Sequence, residues 1–487
     1  MRLCLRELLE KQRVLLARIP TVRDTQSAWS LLLFCAAARA NYVTRVVEPD
    51  LSAEYAEEHD KALWQCLCQI IGVHEEEAGI WRRVAQLPLH SGGLGLRSAA
   101  QLRVAAHWAS WADCIAMIQD RHPAVAEQIV TNLEHNGGES EALQAPAACA
   151  QRLREAGFEA PDWRSLAGGA RPRPTDDDLE QREPGMFQHG WQFFAARAVE
   201  RRRREELMPM MSRSERAHLR SQSGPGAGAV FMALPSRYEY RIHAQPFRVL
   251  LLRRLRLDLQ LAPCRCRCRH FLDPKGDHRA ACSTSGVLSR RGFALESAAA
   301  RLCREGGARV RTNVFVRDLN VAAARPDDSR RIEVIADGLP LFHGAQLAVD
   351  TTLVSAIRGN GQPHPRAADV DGVALRHARR RKERTYPELS GDRGRARLVV
   401  LALETGGRWS SEAWKFVRQL AKARARSEPE LLRRAAQAAW HRRFVNLLAV
   451  AAQRAFAESL LEMTGGRGAD GDTIGAQEVL EDARYGW

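Results

Sequence analysis

The sequence lacks any apolar run long enough to cross a membrane. Its longest run, near Trp29 to Ala38, is about half of the ~20 residues that a membrane-spanning helix needs. The first residues also lack the pattern of a secretory leader, in which charged and then apolar residues precede a small-residue cleavage site. We therefore expect neither an integral membrane protein nor a secreted one, and no membrane partner.

Lysine is scarce, with 6 lysines against 67 arginines among 487 residues. The codon usage of a GC-rich genome is one explanation, and the imbalance makes each lysine worth inspecting. Charge is also distributed unevenly. Residues 1–160 contain 16 basic and 20 acidic residues, a net charge of −4, and the whole chain carries +15, so residues 161–487 carry +19. A basic excess confined to one part of a chain indicates a polyanion partner, most often nucleic acid.

The chain contains 11 cysteines. An odd number of cysteines in a chain without a leader argues against a disulfide framework. Four of them, Cys264, Cys266, Cys268 and Cys282, fall within nineteen residues that also contain His278. Zinc takes four such ligands in a tetrahedron, commonly as two close pairs. His278 and Cys282 form one pair, and Cys268 pairs with Cys266 or, as an alternative, with Cys264. We predict a structural zinc site here, and a fortuitous cysteine-rich loop is the competing interpretation.

The length predicts two to four domains, at roughly 100–200 residues each. The spacing of apolar residues predicts an α+β protein that is all-helical in its first half and mixed after the cysteine cluster. In the mixed part we predict strands at 310–316, 331–335, 346–354 and 397–403, with helices at 290–305, 373–386 and 410–426. The predicted units are a helical region at 1–158, a linker at 159–189, a helical connector at 190–262, a zinc knuckle at 263–285, an α/β core at 286–427, C-terminal helices at 428–463 and a flexible tail at 464–487.

Two of the predicted strands carry one acid each, Glu333 and Asp350, and the next helix carries Lys382. Carboxylates on adjacent strands can hold Mg²⁺ against a phosphodiester, and a nearby lysine can orient or activate the attacking water. A buried aspartate among apolar residues is also costly unless it binds a cation or a donor. The alternatives are a strand-end Asp350 bonded to a backbone amide, a solvent-facing Glu333 paired with Arg331, and a Lys382 on a solvated helix face.

The order of these landmarks is C-x-C, H-x3-C, helix, strand, two acid-bearing strands and a K-x3-Y helix. This order resembles the C-terminal part of site-specific non-LTR retrotransposon proteins, which carry a zinc knuckle and a restriction-like endonuclease of the PD-(D/E)xK superfamily. The segment Leu87-Pro-Leu-His-Ser-Gly-Gly-Leu-Gly-Leu-Arg97 resembles the region after the reverse-transcriptase palm in related proteins. The resemblance implies that Glu333 and Asp350 hold catalytic Mg²⁺, that Lys382 is the catalytic lysine, and that Tyr386 takes the aromatic position one turn later.

The chain departs from the family pattern in two ways. The first acid is usually Asp, so Asp327, which follows Pro326, rivals Glu333 for that role. The polymerase hallmark, which is an aromatic residue, then any residue, then Asp-Asp on a hairpin, is missing, so we expect no primer extension. The resemblance implies a Mg²⁺-dependent endonuclease that nicks target DNA in the nucleus. The alternatives are a catalytically dead nucleic-acid-binding remnant and a helical scaffold with a zinc site.

A basic stretch accompanies the predicted catalytic lysine. Residues 371–397 contain nine basic and four acidic residues, a net charge of +5. Rows of such cations neutralise phosphates and bind nucleic acid in a salt-dependent way, whatever its sequence. We predict that Arg379, Arg380, Arg381 and Arg384 contact DNA, with RNA of the retroelement as a further partner. A merely solvated charged face is the alternative.

Overall fold

The computed structural model describes residues 1–138, 140–172, 189–261, 265–266, 268–284, 286–319, 327–389 and 396–462. These residues form a mixed α+β protein with a four-stranded sheet, and at that level the expected fold class is confirmed. The helices of the first half are α1 (Arg2–Arg18), α2 (Thr25–Ser30), α3 (Ala40–Val46), α4 (Ala53–Ile71), α5 (Trp81–Ala85), α6 (Ala99–Arg121), α7 (Pro123–Glu134), α8 (Glu141–Glu155), α9 (Trp163–Ala167), α10 (Trp191–Leu207), α11 (Arg213–Ser221), α12 (Ala229–Met232) and α13 (Ala244–Arg254). The remaining elements are α14 (Asp277–Ala281), α15 (Val287–Glu305), β1 (Arg309–Phe315), β2 (Arg331–Asp337), β3 (Gln346–Val354), α16 (Val373–Thr385), β4 (Ala396–Glu404), α17 (Ser411–Ala425) and α18 (Arg433–Leu461).

Helix α6 organises the helices of the first half. Its Trp108 is fully buried, and the ring centroid lies 5.2 Å from that of Phe158 and 5.9 Å from that of Trp191. The amide of Ala99 at the start of α6 donates to the carboxylate of Asp60 at 2.8 Å, which satisfies one of the amides that a helix leaves unpaired. Packing around one tryptophan thus joins α6, α10 and the segment after α8.

The glycine-rich segment at 87–97 is a tight loop held by a buried arginine. A Cβ on Gly93 would collide with the carbonyl oxygen of Leu87, so this position requires glycine. Arg254 of α13 is 2% exposed. Its guanidinium donates to the carbonyl oxygens of Leu89, Gly93, Ala227 and Gly406. Because Gly406 lies between β4 and α17, one cation joins the loop of the first half to the sheet region.

The sheet has the strand order β1-β2-β3-β4. The β1–β2 and β2–β3 pairs are antiparallel, and β3–β4 is parallel, with α16 as the crossover that a parallel pair needs. Alternate residues face opposite sides, so Val334, Val349 and Leu401 pack in the core with α15 and α18, whereas Ala348 and Val400 pack with α16. Each strand begins and ends within two residues of its predicted position.

Helix α18 is the central helix of the second half. Contrary to the expectation from the sequence, one stretch among the described residues, Glu430–Leu461, is long and apolar enough to cross a membrane by length and composition. In the protein, 72% of its apolar window is buried, and the helix packs against α13, α15 and α17. Phe444, Leu448 and Phe456 are at most 1% exposed. Burial inside the protein therefore accounts for the apolar character, as in the core helix of a water-soluble protein.

Candidate functional site

The predicted zinc ligands converge where a tight turn meets helix α14. The turn closes through a 2.8 Å hydrogen bond from the amide of Cys266 to the carbonyl oxygen of His270. On the other side, α14 begins at Asp277 and Cys282 follows its last residue. The ligand atoms of Cys266, Cys268, His278 and Cys282 all lie within 4.8 Å of one another. This cluster can hold a metal ion such as zinc.

Contacts behind the ligands orient them. Because a carbonyl oxygen can only accept, Nδ1 of His278 donates to Gly359 at 2.8 Å, which leaves Nε2, 3.1 Å from the Cys268 sulfur, to face the metal. Burial raises the pKa of Cys282, but the amide of Thr284 and the neighbouring cysteine thiols outweigh it, so that the net pKa falls to about 7. A lowered thiol pKa favours the thiolate that zinc binds. Cys264, the alternative ligand, lies outside the described residues.

Asp350 of β3 lies buried on the sheet face that α16 covers. Its side chain is 1% exposed, and Nζ of Lys382 donates to Oδ1 at 2.8 Å. The other oxygen, Oδ2, is also buried and has no hydrogen-bond partner within the part of the chain that is described. Lys382 lies inward, with 19% of its side chain exposed. The aspartate therefore pairs with the lysine rather than with a backbone amide, and one carboxylate oxygen is left uncompensated.

Glu333 of β2 lies next to Asp350. The antiparallel pairing of Val334 with Val349 brings the two acids together at the point where the β2–β3 pairing ends. Oε2 of Glu333 accepts hydrogen bonds from the amide and the hydroxyl of Thr351, both at 2.6 Å. Burial, and then the neighbouring carboxylate of Asp350, raise the pKa of Glu333 to about 7. Two acids thus repel one another in one pocket, and a bound cation would relieve that repulsion.

Tyr386 follows the last residue of α16 and positions the start of β2. Its hydroxyl donates to the carbonyl oxygen of Arg331 at 2.7 Å. The guanidinium of Arg331 lies 3.9 Å from the ring centre of Phe315, rather than against Glu333 as the alternative reading required. Burial, followed by the charges of Asp350 and Glu333, raises the pKa of Tyr386, so the phenol stays protonated at neutral pH.

One carboxylate near Asp350 was missed by the sequence analysis. Glu296 on α15 is partly buried, and burial together with Asp350 raises its pKa. Its signal in the sequence is an acid beside the buried Leu295 in an otherwise apolar stretch, which is a weak signal in an amphipathic helix. Asp327, the rival for the first acid, is exposed.

The acidic pocket is looser than the cysteine cluster. In the described parts of the chain, only the Cys/His cluster combines three or more metal-binding side chains whose ligand atoms all lie within 4.8 Å. Glu296, Glu333 and Asp350 therefore form a wider set. Mg²⁺ commonly takes one or two protein carboxylates and keeps several waters, so its requirements differ from those of structural zinc.

The four predicted phosphate-binding arginines of α16 do not share one environment. Arg380, Arg381 and Arg384 are exposed, as a nucleic-acid contact requires. Arg379 is partly buried, and its Nε lies 3.2 Å from a carboxylate oxygen of Glu383 and 3.3 Å from one of Glu412. Three of the four side chains thus face solvent, and the fourth helps to join α16 to α17.

Comparison of the chain with models of known protein families gives no match, and a search of curated protein sequences finds no similar sequence.

Proposed function

We propose that this protein is a Mg²⁺-dependent DNA endonuclease with a restriction-like core, derived from a retrotransposon-type protein. The observation that carries the proposal is the buried Asp350–Lys382 pair beside Glu333. Burying an ion pair costs desolvation energy, and an unpaired Oδ2 adds to that cost. Such an unfavourable arrangement is common at catalytic sites, where it serves the reaction instead of stability.

The topology supports the proposal. Helix α15 precedes an antiparallel meander of β1, β2 and β3, and α16 then crosses over to the parallel strand β4. The proposed core places an acid on each of β2 and β3 and a lysine on the crossover helix. That order of elements resembles the order of landmarks in the restriction-like endonucleases of retrotransposon proteins.

The donor set fits Mg²⁺. Carboxylate oxygens are the ligands that this hard cation prefers, and the unpartnered Oδ2 of Asp350 offers one. Glu333 and Asp350 would hold the ion, with Glu296 near enough to contribute charge or bind a water. When bound, Mg²⁺ would act as a Lewis acid on the phosphodiester.

The side chains have separable roles in the proposal. Lys382 holds Asp350 through Oδ1, which orients the carboxylate, and its ammonium offsets the negative charge that develops on the phosphate. Glu333 is held by the amide and the hydroxyl of Thr351, which orient its carboxylate beside Asp350. Tyr386 is a positioning residue, because its hydroxyl bonds a backbone carbonyl.

The zinc cluster, the nucleic-acid partners and the cellular location complete the proposal. The zinc cluster would be structural, since four protein ligands leave no open position for substrate. DNA is the proposed substrate and retroelement RNA a further partner. Action on chromosomal DNA would place the protein in the nucleus.

The experiment measures cleavage and binding of DNA in parallel. Asp350→Asn should slow Mg²⁺-dependent nicking at least about 100-fold, as the loss of a charge-stabilising group at an active site does. Binding should be retained or improved, because a negative charge leaves the groove. Asp337→Asn is the matched control, since Asp337 ends β2 and contacts Gln346 and Arg311 instead of Lys382. If both variants nick as the wild type does, the proposal fails; binding without nicking by the wild type itself would favour the catalytically dead remnant.

A further inference from the structure

Two adjoining cavities lie between the helical half and the sheet, and neither is lined by the proposed catalytic residues. The smaller, of about 270 Å³, lies between α10 and the loops at 90–91 and 223–225. The larger, of about 640 Å³, lies between α16, β4 and the start of α17. Pro225, Asp371 and Arg408 line both cavities, so the two adjoin, and together they are called the channel below.

The smaller cavity is strongly positive. Arg197, Arg201 and Arg204 line it from one face of α10, because residues four and seven positions apart on a helix share a face. Nε of Arg204 is buried and has no hydrogen-bond partner in the described chain. Desolvation by the surrounding residues, and then the charges of Arg197, Arg97 and Arg204, lower the pKa of His90. The cations are thus close enough to repel a further positive charge.

The acidic side chains that line the smaller cavity already form ion pairs with arginines. Glu200 accepts a hydrogen bond from Arg97 at 2.6 Å. Asp371 lies 2.7 Å from a guanidinium nitrogen of Arg220 and 3.0 Å from one of Arg408. Each carboxylate therefore has its own arginine, and the net charge left on the lining is positive.

The walls are held by backbone hydrogen bonds. The amide of Gly224 donates to the carbonyl oxygen of His90 at 2.7 Å, which joins the two loops that line the smaller cavity. Nε of Arg408 donates to the carbonyl oxygen of Arg220 at 2.8 Å. Donors fixed in this way lose little conformational entropy on binding a ligand.

The larger cavity combines apolar and basic walls. Its apolar lining consists of Leu375, Val400, Ala402, Trp409 and Trp414. Its cations are Arg376, Arg379, Arg380, Arg408, Lys415 and Arg418. Inorganic phosphate would leave the apolar part unused, whereas a nucleotide unit presents a base to such a wall and a phosphate to the cations.

We propose that the channel binds a segment of single-stranded nucleic acid, with Arg201 and Arg204 on its phosphates and the wall at Trp409 against a base. The channel runs along α16, the helix that also carries Lys382. The binding of a strand in the channel does not depend on the proposed function. Only the further claim, that this strand is the substrate of the nuclease, rests on the proposed function.

The test is the affinity for a fluorescent single-stranded oligonucleotide, measured by anisotropy in buffer without Mg²⁺, so that no cleavage occurs and the zinc site is left intact. The double variant Arg201→Gln/Arg204→Gln should weaken binding at least about tenfold and lower the salt slope by about 1.4, since each single-strand phosphate contact contributes about 0.7. The control Arg121→Gln/Arg154→Gln removes the same charge from exposed positions on α6 and α8 and should change affinity less than twofold.

Equal weakening by both double variants would show a general charge effect and overturn the proposal, as would no weakening by either. Displacement of the oligonucleotide by inorganic phosphate or a mononucleotide at the same concentration as unlabelled oligonucleotide would overturn the strand assignment. If the double variant melts below the wild type, the exposed Arg201→Gln alone should still weaken binding about threefold. We expect Asp350→Asn to keep the oligonucleotide binding while it loses nicking. Failure of the channel proposal can therefore be distinguished from failure of the nuclease proposal.

Discussion

Replacement of Glu333 by Gln should make the protein more stable at alkaline pH. In the folded protein, burial and Asp350 raise the pKa of Glu333 from the ordinary 4.5 to about 7, a shift of roughly 2.5 units. At 1.36 kcal/mol per unit, the ionised form costs the fold about 3 kcal/mol. Gln removes the charge and keeps a carbonyl oxygen that can accept the hydrogen bonds from Thr351.

The sign of the pH dependence follows from proton counting. Between pH 4.5 and 7, Glu333 is protonated in the folded state and ionised in the unfolded state, so the wild type loses stability as pH rises through this window. Above pH 7 this loss of folding stability is complete. The difference in unfolding free energy between Glu333→Gln and wild type should therefore grow by about 3 kcal/mol from pH 4.5 to pH 8, measured by chemical denaturation at each pH.

The effect of Mg²⁺ on stability distinguishes a metal-binding catalytic pocket from an ordinary buried acid. A cation held by Glu333 and Asp350 stabilises the folded state by mass action, so millimolar Mg²⁺ should stabilise the wild type at pH 8 more than the variant. Glu404 is the matched control, because burial raises its pKa to about 7 as well, but on β4 and away from Lys382. Glu404→Gln should show a similar pH effect and respond to Mg²⁺ as the wild type does. Equal pH profiles for wild type and Glu333→Gln would refute the reasoning.

Further predictions concern the metal, the buried arginine and the lysine. Purified protein should contain one zinc per chain by elemental analysis, and Cys282→Ser should lower that content, because binding at such a site is coupled to folding; absence of stoichiometric metal would count against the site. Arg254→Met should destabilise the protein by about 3 kcal/mol or more in denaturation experiments, since four backbone carbonyl oxygens, two of them in buried hydrogen bonds, lose their donor, and a loss under about 1 kcal/mol would contradict this. Lys382→Arg should slow nicking at least about 100-fold, because the bulkier, planar guanidinium cannot replace the compact ammonium beside the buried Asp350, and normal nicking would remove the lysine from the mechanism. Neutralising the arginines at 379–381 should weaken binding to all DNA sequences alike, whereas selective weakening for one sequence would indicate base readout.

The sheet was predictable because its strands carry their pattern locally. β3 reads Gln-Leu-Ala-Val-Asp-Thr-Thr-Leu-Val, an apolar and β-branched run that predicts a buried strand without reference to any other segment. Asp350 is conspicuous in it for the same reason. The contact with Lys382 was harder to predict, since it joins residues 32 positions apart and depends on how the crossover lays α16 on the sheet.

Features built from distant segments could not be predicted in this way. Glu296 is ordinary in its own helix and becomes notable only when α15 packs on β3 near Asp350. The basic channel brings together a loop at 90, helix α10 and a hairpin near 408, which lie far apart in the chain. Arg254 likewise resembles any arginine of this Arg-rich chain until its four backbone acceptors are known.

The most direct test of the nuclease is the conversion of supercoiled DNA to open circles by purified wild-type protein in Mg²⁺. The account predicts nicks that require Mg²⁺ and end in a 3′ hydroxyl, so that a DNA polymerase can extend them. Asp350→Asn protein, prepared in the same way, should leave the DNA supercoiled. Wild-type protein that never nicks DNA, or Asp350→Asn protein that nicks it equally well, would contradict the assignment of Asp350, Glu333 and Lys382 as a catalytic site.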